Sequence, residues 1–374
     1  MIYIHIPFCK QRCIYCAFYS VSTVSDKQKY LDALCKELEC RTNYLPDRKI
    51  TTIYIGGGTP SILSIEQLSK ICHTIQSNYD IANVEEFTIE ANPEQLTMDY
   101  LQALKQLGFV DRISIGVQTF DDDKLKMLNR RHSSAMALEA IKNAQKLGFN
   151  NISIDLIYGI PGMTLQQWQK NLDIVAGLNV QHLSCYALTV EQGTMLDTLI
   201  QKAKIPQVDD DETIKHYNAL QRWIENNGFI QYEISNYCKQ GFEAKHNSRY
   251  WDCTPYLGVG AAAHSFDGSS RQWNIDNVVA YIEGINNANP IYSAERLSQK
   301  DMYNEYIMTA LRTAKGLDND VLAKYRQYWS EAEKLLEKYI YNGMVLKTEC
   351  GYKLSKQGFL FADAIAADLF CISQ

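Results

Sequence analysis

The chain has 374 residues, of which 46% are hydrophobic and 21% are charged, a balance that suits a globular protein with one large domain and a smaller one. Its formal net charge of −6 offers no basic surface, so we expect no nucleic-acid partner. We also expect a cytoplasmic protein with reduced thiols, because the apolar runs are too short to span a membrane and the first residues do not resemble a signal peptide.

The first half of the chain alternates strand-like apolar runs with helical patterns. Strands are predicted at residues 2–6, 53–55, 87–91, 112–118, 152–157 and 182–188. Helices are predicted at residues 26–45, 65–79, 98–107, 125–128, 135–147 and 165–177. Because this rhythm is typical of parallel βα units, it predicts an α/β fold, a partial (β/α)6 barrel of the TIM type. A doubly wound open sheet is the structural alternative.

The second half of the chain is less regular. A Gly- and Ala-rich run at residues 251–266 indicates tightly packed backbone near a site. The other predicted elements are a helix at 209–227, a strand at 232–237, helices at 302–313, 321–325 and 331–341, strands at 344–347 and 352–354, and a helix at 357–369. The helices and strands from residue 302 onward predict a winged-helix-like domain. We therefore expect a barrel (1–235), a connecting segment (236–294) and a C-terminal helical, winged-helix-like domain (295–374).

Three cysteines follow the first predicted strand with the spacing C-x3-C-x2-C: Cys9, Cys13 and Cys16. A structural zinc site needs four ligands, and the next side chains here are Ala17 and Phe18. Three thiolates on a [4Fe–4S] cluster would leave one iron open to an outside molecule. The alternative, three buried structural cysteines, is less favourable because free cysteines seldom cluster so tightly in a loop.

Polar residues also follow the later strands. A glycine-rich turn at residues 56–60 follows the second strand, where main-chain amides can approach a charged ligand, although the turn has neither P-loop nor Rossmann spacing. Glu90, Gln118 and Asp155 lie at or near the ends of later strands, and Arg130 follows the fourth. Because a lone carboxylate in an apolar strand needs a partner, these residues predict either a ligand site or an internal salt bridge.

The cysteine spacing at the end of a first strand resembles the signature of radical S-adenosylmethionine (SAM) proteins. In that family the open iron of a [4Fe–4S] cluster is chelated by SAM. The resemblance implies that Glu90 binds the SAM ammonium group and that Thr59 and Arg130 bind its carboxylate. Gly57 and Gly58 belong to the loop that holds this end of SAM in the family.

The same resemblance assigns the rest of the SAM site. Gln118 and Asp155 would bind the ribose hydroxyl groups. Tyr3, Tyr15 and Ala187 would border the cluster and the adenine. The cluster would supply an electron that cleaves SAM reductively, and the protein would orient SAM and exclude water.

The residues on either side of the cysteines, at 3–8 and 16–18, narrow the resemblance to one branch of the family. This branch contains oxygen-independent coproporphyrinogen III dehydrogenases and haem chaperones. The dehydrogenases carry a further cysteine where this chain has Phe18. The chain also has the H-N-x-x-Y-W motif associated with haem binding in the chaperones, so His246, Tyr250 and Trp251 are candidate haem residues. His264 is a second candidate haem ligand, whereas a packed histidine and two packed aromatic rings are the structural alternative.

These features predict a haem chaperone that carries a [4Fe–4S] cluster and SAM, binds haem b as cargo and passes it to acceptor proteins such as respiratory enzymes. Whether SAM is turned over stays open at this point. The alternative is the coproporphyrinogen III dehydrogenase, a radical SAM enzyme that decarboxylates two propionates oxidatively. We expect a monomer or homodimer and a possible peripheral membrane contact.

Overall fold

A curved sheet organises the larger part of the molecule. Among residues 1–22 and 26–372, which the computed structural model describes, nine strands form this sheet in the order β7-β8-β6-β5-β4-β3-β2-β1-β9. They are β1 (Ile2–Ile6), β2 (Thr52–Gly57), β3 (Glu86–Ala91), β4 (Arg112–Gln118), β5 (Asn151–Tyr158), β6 (His182–Ala187), β7 (Ile230–Gln231), β8 (Asn236–Cys238) and β9 (Leu257–Val259).

The order of the strands identifies the architecture. Strands β1 to β6 are parallel and each pairs with the next one along the chain. A doubly wound sheet reverses its strand order at a switch point, and β1 to β6 do not reverse, so the predicted partial barrel is confirmed. Strand β9 adds a further parallel strand beside β1, and β8 closes the other side antiparallel to β6.

Helices cover the outside of the barrel. They are α1 (Lys27–Cys40), α2 (Ile65–Asn78), α3 (Met98–Leu107), α4 (Asp122–Met127), α5 (Ser134–Lys146), α6 (Leu165–Ala176), α7 (Met195–Gln201) and α8 (Asp210–Asn226). Ser64 and Thr164 begin α2 and α6 with capping boxes, which explains why these helices begin where the sequence predicts. Helix α1 ends at Cys40 rather than at residue 45, and residues 41–43 continue as a turn.

The two faces of the central strands have opposite character. The outward residues are aliphatic and completely buried against the helices: Ile2, Ile4, Ile6, Ile53, Ile55, Ile89, Ile113, Ile115, Ile152, Ile154 and Leu183. The inward residues are mostly polar: Tyr3, His5, Tyr54, Thr88, Glu90, Arg112, Ser114, Ser153, Asp155, His182 and Ser184. Because side chains alternate along a strand, this pattern puts an apolar layer outside and a polar lumen inside. An ordinary TIM barrel instead fills its interior with branched apolar side chains.

Two features of the sheet differ from the sequence prediction. The strand predicted at 232–237 is confirmed only at residues 236–237, which begin β8. Before them the chain reverses between β7 and β8, where the Glu233 carboxylate accepts a hydrogen bond from the Ser235 amide at 3.0 Å. Strand β9 lies inside the Gly- and Ala-rich run, which the sequence did not predict as a strand. A Cβ on Gly258 would overlap the carbonyl oxygen of His264, so the expectation of tightly packed backbone in this run is confirmed.

A smaller antiparallel sheet, here called the side sheet, lies against the barrel. It consists of β10 (His264–Phe266), β11 (Ser270–Asn274) and β12 (Tyr292–Arg296). In the chain, α9 (Lys245–Trp251) precedes β9, and α10 (Val278–Asn286) connects β11 to β12. The buried Glu37 carboxylate of α1 accepts hydrogen bonds from Asn274 at 2.8 Å and from Tyr281 at 2.6 Å. Arg41 bonds Gln272 at 2.7 Å, so one face of the side sheet is fixed to the barrel.

The C-terminal region has helices and a small antiparallel sheet of order β13-β15-β14. Its elements are α11 (Gln299–Leu311), β13 (Leu317–Asp318), α12 (Asn319–Lys324), α13 (Arg326–Tyr341), β14 (Val345–Lys347), β15 (Gly351–Leu354) and α14 (Ala362–Leu369). The predicted last helix begins as a short 3₁₀ turn over Gly358–Phe361. The helices and wing-like hairpin fit the predicted winged-helix-like domain, and the domain boundaries stay predictions. Within the described ranges, every helix is too short or too polar to cross a bilayer.

Candidate cofactor site

The cysteine loop lies at the carboxyl end of β1, the end at which a parallel barrel exposes its site. Cys9, Cys13 and Cys16 are partly exposed, and none of them forms a disulfide in the described part of the chain. Burial raises the pKa of the Cys9 and Cys16 thiols, so metal binding at these residues would release protons at neutral pH.

The donor set fits a cluster better than a single ion. Across residues 1–22 and 26–372, no three His, Cys, Asp or Glu side chains converge as a single metal ion would require. A [4Fe–4S] cluster binds its thiolates on different iron atoms, so its ligands need not meet at one point. Three free thiols on one partly exposed loop therefore fit such a cluster.

Arg130 connects the cysteine loop to the ends of the strands. One guanidinium nitrogen lies 3.2 Å from the Cys13 sulfur, and the other donates to the Asn92 side chain at 2.7 Å and to the Gly116 carbonyl at 2.6 Å. Asn92 in turn donates to the Thr59 hydroxyl at 3.3 Å, and Thr59 donates to the Cys9 sulfur at 3.4 Å. The Arg130 Nε is buried and has no partner among the described residues, which suits an anionic ligand group.

Glu90 lies half-buried at the end of β3, inside the lumen. The Tyr54 hydroxyl donates to one of its oxygens at 2.7 Å, and the Gly57 amide donates to the other at 3.0 Å. Burial raises the pKa of Glu90 to about 7, so this carboxyl group titrates near neutral pH. An ammonium group beside it would replace the lost hydration and favour the ionised form.

The glycine turn is required by packing as well as by any ligand. A Cβ on Gly56 would lie 3.1 Å from the Glu90 carboxyl carbon, and one on Gly58 would lie 2.9 Å from the Ile6 carbonyl oxygen. Gly57 has a φ of 110°, which favours glycine. The Gly57 and Gly58 amides already donate to Glu90 and Ile6, so these glycines shape the site next to Thr59.

Asp155 and Gln118 lie on neighbouring strands, as predicted. The Ser114 hydroxyl donates to Asp155 at 3.1 Å, and burial raises the pKa of Asp155. Gln118 is buried at the end of β4 with a φ of 68°, where the pairing of β4 with β5 shifts register. A non-glycine residue with left-handed backbone at a bulge is uncommon, and bulges re-aim side chains beside active sites.

The remaining predicted SAM residues surround the same end of the barrel at different depths. Tyr15 is partly buried in the cysteine loop, and Ala187 is exposed at the end of β6. Tyr3 lies deeper in the lumen, where its ring stacks on Tyr54 with centroids 6.1 Å apart and its hydroxyl lies 3.0 Å from His5 Nδ1. His5 Nε2 bonds the Tyr19 carbonyl at 3.1 Å, so both ring nitrogens of His5 contact neighbouring residues.

The H-N-x-x-Y-W motif forms α9 at the opposite, amino end of the strands. His246 is completely buried, with Nδ1 2.9 Å from the Thr52 hydroxyl and Nε2 3.0 Å from the Tyr250 hydroxyl. Burial lowers the pKa of His246 well below its usual value, so the ring is neutral. Haem ligation by His246 would require one of these hydrogen bonds to break.

Tyr250 and Trp251 face different spaces. Tyr250 lines a cavity that reaches the end of the cysteine loop, whereas Trp251 lines a second cavity between α9 and α11. The structure therefore does not bring the three motif residues to one surface.

Sequence reasoning missed Tyr54 and Ser114 as partners of the predicted carboxylates. The signal was available, since both alternate with buried isoleucines and must share the lumen face with Glu90 and Asp155.

Comparison with known proteins agrees with this geometry. Residues 3–175 match the family model of the Radical SAM superfamily. The chain is 34% identical to the haem chaperone HemW of Bacillus subtilis, with 97% of each chain covered. It is 32% identical to HemW of Lactococcus lactis, with 96% of this chain and 95% of the relative covered.

A solved structure supports the fold. Coproporphyrinogen III oxidase (HemN) from Escherichia coli, a radical SAM enzyme, superposes with a TM-score of 0.86 at 24% identity, covering 98% of this chain and 89% of that one. At this identity the similarity concerns the fold alone. The full-length similarity to the curated relatives is more specific, and the chain belongs to the HemW haem chaperone family of the radical SAM superfamily.

Proposed function

We propose that the chain is a haem chaperone that binds haem and passes it to acceptor proteins, with a [4Fe–4S] cluster and SAM at the carboxyl end of its barrel. The observation that carries this function is the similarity to HemW over 97% of the chain. Phe18 agrees with it, because the coproporphyrinogen dehydrogenases resembled above carry a cysteine at that position.

The cluster site is the cysteine loop, and the residues around it would bind SAM. Cys9, Cys13 and Cys16 would hold the cluster, which supplies one-electron reduction when bound. Arg130 is positively charged at neutral pH, because a guanidinium group stays protonated in proteins. Its unpaired Nε and the Thr59 hydroxyl would bind the carboxylate of SAM.

The lumen residues would bind the rest of SAM. Glu90 would accept from the ammonium group, and Gln118 and Asp155 would bond the ribose. Since burial raises the pKa values of both carboxyl groups, a bound cation and hydroxyl donors would stabilise their ionised forms. Tyr3, Tyr15 and Ala187 would border the adenine and the cluster.

The H-N-x-x-Y-W segment would contribute to the haem site mainly through Tyr250. His246 bonds the Tyr250 hydroxyl, and Tyr250 lines the cavity beside the cysteine loop. His246 would then position Tyr250, while direct ligation by His246 or contact by Trp251 would need a rearrangement of α9. This proposal also includes haem b as the cargo and respiratory enzymes as the acceptors. It further includes a cytoplasmic location, a peripheral membrane contact and a monomeric or dimeric state.

The test is haem transfer. The full chain is loaded with haem, mixed with a haem-free globin as a generic acceptor, and followed by the shift of the Soret band. Transfer supports the chaperone function, and failure to bind haem contradicts it. Anaerobic incubation with coproporphyrinogen III, SAM and a reductant tests the alternative, because formation of protoporphyrinogen would show a turnover enzyme.

A further inference from the structure

A cavity of about 740 Å³ lies on the lumen side of β1, between that strand, the end of the cysteine loop and the side sheet. Its size is within the range of small-molecule and cofactor sites, roughly 300–1,000 Å³. Tyr3 and His5 form one wall, residues 17–19 form a second, and the side sheet forms a third. The second wall follows Cys16 directly, so this cavity adjoins the proposed cluster site.

His264 lies on the side-sheet wall of the cavity. The strand register places His264 opposite Trp273 and Trp273 opposite Ser293, so these residues share the face that is turned away from Glu37 and Arg41. The His264 ring stacks on Trp273 with centroids 5.9 Å apart and an interplanar angle of 20°. This stacking fixes the plane of an imidazole that is exposed to the cavity.

His264 differs from the other histidine of the cavity in its free nitrogens. Both ring nitrogens of His5 have hydrogen-bond partners. In residues 1–22 and 26–372, neither ring nitrogen of His264 has one. Burial lowers the pKa of His264 from its usual value, which favours the neutral imidazole that binds iron.

The rest of the cavity lining suits a flat, largely apolar molecule. Phe18 is 72% exposed and Ile291 is 46% exposed, although both are large apolar side chains. Tyr3 and Tyr250 add aromatic surface on the barrel side. A planar iron porphyrin would bury these groups, and a free imidazole at the wall would reach its metal.

We propose that this cavity binds haem and that His264 is an axial ligand to the haem iron. The proposal rests on the haem chaperone function and deepens it, because it names a ligand outside the H-N-x-x-Y-W motif. Haem bound there would lie against residues 17–19, so the cargo and the cluster loop would share a wall.

The first test is a haem titration of the full chain and its His264→Ala variant, followed by Soret absorption. His73→Ala is the matched control, because His73 is also exposed and contacts an aromatic ring, Phe109, far from the cavity on α2. We expect His264→Ala to weaken haem binding at least about tenfold and to shift the Soret band, because loss of a neighbour of a metal ligand already costs ~10- to 100-fold. Added imidazole should restore the wild-type spectrum of His264→Ala.

A second variant keeps the proposal testable if His264→Ala fails to fold. Ser293→Trp places a large side chain in the cavity without touching a ligand, and we expect it to weaken haem binding as well. Unchanged affinity in Ser293→Trp, or an unchanged affinity and spectrum in His264→Ala, would overturn the proposed site and leave the chaperone function standing. Wild-type protein that binds no haem would overturn both.

Discussion

The two segments that the sequence marks for cofactor binding differ in how their polar atoms are used. At the carboxyl end of the barrel, the cysteine thiols are partly exposed and Arg130 Nε has no partner among the described residues. At the amino end, His246 is completely buried and both of its ring nitrogens are bonded. We infer from this contrast that a ligand binds where the fold leaves donor atoms unpaired, and the variants below test this inference.

The largest expected effect concerns the cysteine loop. Cys13→Ala should abolish cluster assembly, because two protein thiolates hold a [4Fe–4S] cluster poorly. Iron and sulfide analysis after anaerobic reconstitution measures the effect. Cys40→Ala is the matched control, since Cys40 is an exposed cysteine on α1 and should leave the iron content unchanged. Full cluster content in Cys13→Ala would contradict the ligand assignment.

The next effect tests the opposite end of the barrel. His246→Ala should lower the free energy of unfolding by about 2–5 kcal/mol, because it leaves the Thr52 and Tyr250 hydroxyls unsatisfied and opens a cavity. Denaturant unfolding measures this change, and His73→Ala should stay within about 0.5 kcal/mol of wild type. Normal stability of a folded His246→Ala variant would contradict the structural role of His246 and reverse the contrast.

The pH dependence of SAM binding follows from Glu90. Its pKa of about 7 lies above that of a free carboxyl group, so the side chain gains a proton as the pH falls through 7 and no longer attracts an ammonium group. Affinity for SAM should fall at least about tenfold from pH 7 to pH 5.5. Isothermal titration at several pH values measures it. Glu90→Gln should bind weakly with little pH dependence, and a steep dependence in that variant would assign the titration elsewhere.

The smallest effect separates stability from binding. Ser64→Ala removes the capping box of α2 and should cost about 1 kcal/mol in the free energy of unfolding. Because α2 lies on the outside of the barrel, SAM and haem affinities should not change. A loss of SAM affinity in this variant would mean that a lower stability of the fold is enough to reduce SAM binding. The effects of the preceding variants could then not be assigned to their side chains.

Local patterns predicted the barrel well. Buried isoleucines, helix caps and the glycine turn act within a few residues of one another, so β1 to β6 and their helices could be found without a structure. The reversal at Glu233 depends on a single carboxylate bonding a nearby amide. Strand β9 is too short and too rich in glycine to be recognised, and it forms because β1 offers an unpaired edge.

The sequence did not predict which functional side chains have hydrogen-bond partners and which have free donor atoms. His246 is hydrogen-bonded to Thr52 of β2, which is 194 residues away in the chain, and no local sequence pattern predicts that contact. The link from Arg130 to Cys13 and Asn92 also joins residues far apart in the chain. Sequence therefore indicated which residues carry chemistry, while the fold decides which of them are free to use it.

The barrel strands point their apolar side chains outward and their polar side chains inward, so the residues that stabilise the fold differ from those that face the lumen. The isoleucines on the convex side each contribute about 1.5–3 kcal/mol to folding through burial, and their side chains point away from the lumen. Side chains on the concave side near the open end of the barrel can therefore be exchanged without opening a gap in this apolar layer. Such a shell can host different reactions in different relatives, and a protein engineer could vary its lining while the outer layer is held constant.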